Sequence, residues 1–163
     1  MKKLLILTIS VLVCVLLLAV LPVHGEGEIY DSVLRLHVLA NSDSEYDQSL
    51  KLRVRDGVLA VCSELVSGCV TREEAEAVIA ANLELIRESA QTALLEEGSE
   101  YPVAVYFDEE EYPTRNYESV SFPAGTYMSL RVCIGEAEGQ NWWCVLFPNM
   151  CISAASKKDV EEA

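Results

Sequence analysis

The apolar residues of this chain change their spacing twice, and that change limits the fold more than any other feature. Leu34, Leu36 and Val38 alternate with Arg35 and His37, the period of a strand with one apolar and one charged face. The spacing then becomes helical through Leu50, Val54, Val58, Val61 and Leu65, which predicts a first helix from about Tyr46 to Val66. Ser42 and Glu45 stand at capping-box spacing ahead of it. Thr71 and Glu74 repeat that signature before Ala75, Val78, Ile79, Leu83, Ile86, Ala90 and Leu94, so a second helix is expected to end near Gly98. Beyond Gly98 the strand period returns. Tyr101 to Phe107 reads as a strand, Asp108 to Glu111 as a solvated turn, Tyr117 to Phe122 as a short edge strand and Tyr127 to Ile134 as a clearer strand. Gly135 to Asn141 is polar and contains two glycines, as expected of a hairpin loop into a last strand from Trp142 to Phe147. The expected fold class is α+β: one N-terminal strand, two helices, then a mostly antiparallel group of strands forming a single sheet packed on the helices.

Ahead of this pattern, Lys2 and Lys3 precede an apolar run from Leu4 to Leu21, the form of an export signal. As a helix that run would be about 27 Å long, close to the thickness of a bilayer's hydrocarbon core. Pro22 follows, and Val23-His24-Gly25 offers small or branched residues for a cut after Gly25. Cleavage is favoured there, and retention as an anchor is compatible with the same length. Cys14 follows Val13 and lies inside the run, which argues against lipid attachment. The expected organisation is therefore a signal peptide or anchor over 1–25, a short tether over 26–32, one domain over 33–153 and a disordered tail over 154–163. Cut after Gly25, the chain keeps 10 of its 12 bases and all 26 acids. That balance disfavours nucleic acid and anionic headgroups as partners, and leaves membrane contact to the N-terminal segment, if uncleaved.

Five cysteines lie beyond Gly25: Cys62, Cys69, Cys133, Cys144 and Cys151. Thiols outside the cytoplasm pair readily, and Phe147-Pro148-Asn149 between Cys144 and Cys151 is a turn-forming segment that favours a disulfide between those two. Buried reduced thiols acting as small hydrophobes are the alternative. The chain contains no G-x-S-x-G, H-E-x-x-H or C-x-x-C motif and no phosphate-cradling glycine loop. His37 is the single histidine after Gly25, so a hydrolase would have to pair it with a nucleophile such as Cys144, and no local signature supports that pair. Asn41, Asp43, Glu45 and Asp47 alternate like calcium ligands but lack the glycine and glutamate such a loop requires, so an acid-rich helix start explains them. No metal or cofactor is expected. Trp142 and Trp143 begin a strand and must point to opposite faces, which leaves one of them for a partner unless both faces are covered.

Two blocks carry a family resemblance. Residues 34 to 59, with Leu-Arg-Leu-His-Val-Leu-Ala-Asn-Ser-Asp-Ser, Asp47-Gln48, Leu50-Lys51 and Val54-Arg55-Asp56, resemble the N-terminal signature of stage II sporulation protein R. Residues 122 to 151, from Phe-Pro-Ala-Gly-Thr-Tyr through Leu130-Arg131-Val132 and Gly-Gln-Asn-Trp-Trp-Cys-Val-Leu-Phe-Pro to Cys151, resemble its C-terminal signature. The resemblance implies a signalling protein of endospore formation, exported from the forespore into the space between the two forespore membranes. There it would activate a membrane-embedded aspartic peptidase that processes pro-sigma-E. Candidate contact residues in the two blocks are Arg35, His37, Asn41, Asp43, Asp47, Arg53, Arg55, Asp56, Asn141, Trp142 and Trp143. An envelope hydrolase using Cys144 and His37 is the rival reading. Asp47 and Lys51, four residues apart, also suit a simple helix pair.

Overall fold

The computed structural model describes residues 30–117 and 120–148, together with Lys3 and residues 8–13. Most of the expected export segment and tether, the expected C-terminal tail and Cys151 lie outside the described residues. Among the described residues no helix is long and apolar enough to cross a membrane. In chain order the elements are β1 (Leu34–Leu39), α1 (Glu45–Val66), α2 (Arg72–Ala81), α3 (Leu83–Glu96), β2 (Val103–Tyr112), β3 (Arg115–Tyr117), β4 (Val120–Phe122), β5 (Gly125–Ile134) and β6 (Asn141–Phe147). The class is α+β. Four strands form one sheet in the order β2-β5-β1-β6. β1 runs parallel to β5 and antiparallel to β6, while β2 runs antiparallel to β5.

The earliest strand in sequence is therefore an inner strand. Leu34, Leu36 and Val38 are fully buried against the helices, in one core with Leu50, Val54, Val58, Ile79, Ile86, Leu94, Leu130 and Val132. Burying each such side chain stabilises the fold by about 1.5–3 kcal/mol, so this layer is the main source of cohesion. The opposite face carries a second, aromatic cluster of Val33, Tyr112, Phe122, Tyr127 and Val145, with Tyr30 and Trp143 packed on it. Tyr30 thus joins the fold ahead of the expected domain start. Its hydroxyl donates to Ala124 O at 3.0 Å and its own carbonyl accepts from Arg72 Nη1 at 2.8 Å. A Cβ at position 125 would run into the Tyr30 ring, so the glycine of Phe-Pro-Ala-Gly-Thr-Tyr is what admits it.

Local signals explain most element ends. Thr71 and Glu74 form the expected capping box on α2. At Gly98 (φ 74) the chain leaves α3, with Gly98 N–H donating to Leu95 O and Ser99 N–H to Leu94 O, the two bonds of a Schellman ending. Other expectations are corrected. Ser44, not Ser42, caps α1, accepting from Asp47 N–H at 3.1 Å. The expected second helix is broken at Asn82 (φ −122, ψ 20), whose side-chain amide donates to Val78 O at 2.7 Å and so competes with the helical backbone. The break sends α2 against β1 and α1, and α3 against α1 and β2. Asp108 to Glu111 is not a turn, because β2 continues through it in unbroken register with β5. The expected short edge strand is instead a separate ribbon, β3 paired with β4.

The loop from Gly135 to Gln140 is not a hairpin either, because β1 lies between β5 and β6. It arches over the end of β1 and is bonded to the chain that leaves that strand. Gly139 N–H donates to Ala40 O at 3.0 Å and Glu138 N–H to Asn41 O at 3.2 Å. Asn41 Oδ1 accepts from Glu136 N–H at 3.0 Å, and Asp43 Oδ1 from Gln140 N–H at 2.7 Å. A Cβ on Gly139 would overlap Ser42 O, a backbone atom that cannot swing aside. Gly139→Ala is expected to lower unfolding stability by about 1–3 kcal/mol. Gly68→Ala, where nothing lies within 4 Å of the added Cβ, should change it by less than about 0.5 kcal/mol. Urea midpoints at constant m-value measure both.

Candidate functional site

The two sequence blocks meet where β1 passes into α1. Asp47, in the first turn of α1, accepts from Asn41 Nδ2 at 2.8 Å and from the Ser42 hydroxyl at 2.5 Å. Burial would raise its pKa, but hydrogen bonds with Asn41, Ser42, Ser44 and Tyr101 outweigh it and hold the carboxyl below its usual range. One turn on, Lys51 is buried and donates to Gln48 Oε1 at 2.6 Å and to Gln140 O at 2.9 Å. Its ammonium is pushed down by burial, with Asp43 acting in the opposite direction and Arg55 in the same one. Lys51 therefore reaches the arch rather than pairing with Asp47. Arg55 binds Asp56 at 2.7 Å and lies 5.2 Å from the Trp142 ring centroid. Arg53 is exposed and pairs with Glu97 at 3.3 Å.

Across the sheet, Arg35 and His37 occupy the face away from the helices. The sequence pattern made this a charged face, but both residues are buried, at 0% and 5% exposure. Arg35 lies 4.3 Å from the Tyr112 ring centroid, 5.1 Å from Tyr127 and 5.3 Å from Phe122, and its Nε donates to Cys144 O at 3.2 Å. Cation–π contacts stabilise a desolvated guanidinium by about 2 kcal/mol or more. His37 Nδ1 lies 2.8 Å from Glu110 Oε1, and Nε2 lies 2.8 Å from Asn141 Oδ1. Burial raises the Glu110 pKa, but the hydrogen bond and charge of His37, with Ser129 and Arg131, bring it below the usual range. The carboxylate accepts only, so Nδ1 carries a proton. Ser129 Oγ donates to Glu110 Oε2 at 3.0 Å, leaving its oxygen to accept from the Tyr112 hydroxyl at 2.7 Å. One polar row thus joins all four strands.

The structure sorts the candidate residues. Arg35, His37, Asp47 and Arg55 are buried, Asn41, Trp142 and Trp143 are half-buried, and Asp43, Arg53, Asp56 and Asn141 are exposed. Trp142 and Trp143 do point to opposite faces, Trp142 packing on the helix-side core and Trp143 on the aromatic cluster. Trp143 also has the Arg115 guanidinium 3.7 Å from its ring centroid. Glu110, Ser129, Tyr112 and Arg131 complete the polar row; Arg131 stands in the second signature block, and no single-position signal marked the other three. Glu110 was hidden in the acidic run, and its partners are 73 residues away at His37 and 19 away at Ser129.

The pairing needed for a Cys144–His37 hydrolase is not assembled. Cys144 packs into the helix-side core, on the other side of the sheet from His37. It is also disulfide-bonded, which leaves no thiolate, and its expected partner Cys151 lies outside the described residues. Cys62, Cys69 and Cys133 are free thiols. Burial pushes Cys62 up to about 12 and raises Cys133 as well, so neither environment promotes nucleophilicity. Among the described residues no group of His, Cys, Asp and Glu is arranged to hold a metal.

The profile of the stage II sporulation protein R family matches residues 30–157. A stage II sporulation protein R from Bacillus subtilis (strain 168) is 40% identical over 121 residues, covering 74% of this chain and 54% of that relative. The chain thus spans about half the length of the relative it matches. No solved structure matches it.

The lowered pKa values of Asp47 and Glu110 have a definite sign. Groups depressed on folding contribute stability above their unfolded values, about 3.9 for Asp and 4.3 for Glu, and lose it as pH falls through the folded values. Stability is expected to decline as pH drops below about 4. In Asp47→Asn it should be lower at neutral pH and decline less steeply in acid; urea midpoints across this range test the sign.

Proposed function

Because the chain belongs to the stage II sporulation protein R family, we propose that it is an exported signalling protein of endospore formation that activates a membrane-embedded aspartic peptidase to process pro-sigma-E. The family match over residues 30–157 is the observation that carries this reading. Lys2, Lys3 and the apolar run behind them supply a route out of the cytoplasm, into the space between the forespore membranes. The disulfide at Cys144 supports the same location, since such bonds persist in oxidising compartments.

The protein works as a ligand, not as a catalyst. A ligand activates a peptidase only by binding its active state more tightly than its inactive one, so affinity alone is insufficient. The β1–α1 corner and its arch suit that role by fixing the directions of Asp43, through Gln140 N–H, and Asn141, through His37, both of which remain at the surface. The Cys144–His37 hydrolase has no geometric support, because the two residues lie on opposite faces of the sheet.

Reconstitution tests the proposal. With the peptidase and pro-sigma-E produced together, adding the full-length exported protein is expected to yield processed sigma factor, and the same protein lacking residues 1–25 and kept in the cytoplasm is not. Absence of processing with the exported, folded protein would sink the activator role.

A further inference from the structure

We propose that the free edge of β2 is a docking site for an extended, basic segment of a partner protein, added to the sheet as a further strand. β2 has ten residues and pairs only with β5 among the described residues. Its register runs without a shift from Val103 opposite Ile134 to Tyr112 opposite Gly125, so no bulge twists the outer edge away. β2 also contains no proline. A long, regular edge with unpaired backbone groups is a template for strand addition unless its side chains prevent it.

The side chains select the occupant. Asp108, Glu109, Glu110 and Glu111 follow one another, and β2 contains no basic residue. Asp108 and Glu110 face the outer side of the sheet, where Arg131 lies 3.3 Å from Asp108 and His37 lies 2.8 Å from Glu110. Glu109 and Glu111 point to the other side, are exposed, and have no cation within ion-pair distance among the described residues. Two copies paired through the acidic halves of this edge would set acid against acid, which disfavours self-pairing of the chain there. A segment with Lys or Arg at alternate positions would instead place its cations beside Glu109 and Glu111 while its backbone completed the ladder. On the outer face, Tyr106 is 47% exposed beside Arg131 and offers a surface for an intervening apolar side chain. The role of this edge in signalling rests on the activator reading; strand addition itself does not.

The probe is a fluorescein-labelled eight-residue peptide alternating Lys and Val, titrated against the purified protein at about 0.15 M salt and read by anisotropy. Saturable binding is expected, weakened at least about tenfold by N-methylating alternate backbone amides and to a similar extent by Glu109→Lys/Glu111→Lys. Equal binding of the N-methylated peptide would reduce the effect to charge attraction and overturn strand addition, as would no binding at all. Because both glutamates are exposed, the double variant should keep the wild-type urea midpoint. In the reconstituted system it is expected to lose processing activity, and full activity would overturn the edge as the signalling contact. If the wild type itself gives no processing, the activator reading fails and the peptide titration alone decides the edge.

Discussion

Burial of β1 on both faces is the constraint on which the rest of this structure depends. Inserted between β5 and β6, the strand has a helix layer on one side and an aromatic layer on the other. Its apolar positions need nothing beyond packing. Its charged positions must be satisfied internally, because an unpaired buried cation costs several kcal/mol. Arg35 is therefore enclosed by Tyr112, Tyr127 and Phe122 and bonded to Cys144 O. His37 is held between Glu110 of β2 and Asn141 of β6. Residues that resemble a recognition surface in one dimension serve as cross-strand ties in three.

The same placement of β1 creates the corner that follows it. A strand between β5 and β6 requires their connection to pass over its end, and the arch from Gly135 to Gln140 makes that passage. Asn41 and Asp43 bond the arch from below, Asp47 holds Asn41 and Ser42 from the helix, and Lys51 reaches Gln140 O from the next turn. This explains why the two blocks that carry the family resemblance, far apart in sequence, contain so many polar residues. Each block completes the hydrogen bonds of the other. The acidic edge of β2 lies outside both blocks, with Asp108, Glu109 and Glu111 exposed.

Much of the layout was legible from local physics. Period-2 and helical spacing located β1, α1 and the later strands, while Thr71 with Glu74 and Gly98 marked helix ends correctly. Ser42 misled because two serines stand two residues apart, and only the position of the Asp47 backbone N–H, which donates to Ser44, decides which of them caps. Asn82 did not interrupt the apolar spacing, so the break between α2 and α3 was invisible to periodicity. The acidic run misled for a different reason: consecutive acids read as a turn, yet here they lie in an edge strand, where Glu109 and Glu111 meet solvent while Glu110 is bonded by His37 and Ser129.

By itself the sequence determined the α+β class, the two opposed tryptophans, the family resemblance and the basic, apolar start of the chain. Each of these depends on neighbours within a few residues or on a recognisable string. Only the tertiary structure decided that β1 is an inner strand, that Cys144 and His37 face away from each other, and that Arg35 and His37 are buried ties. Strand order is set by pairing between segments about a hundred residues apart, such as Leu36 with Cys144, and no local spacing encodes such a pairing. The charged face of β1 was read correctly as charged; which surroundings would cover it was a property of the assembled sheet.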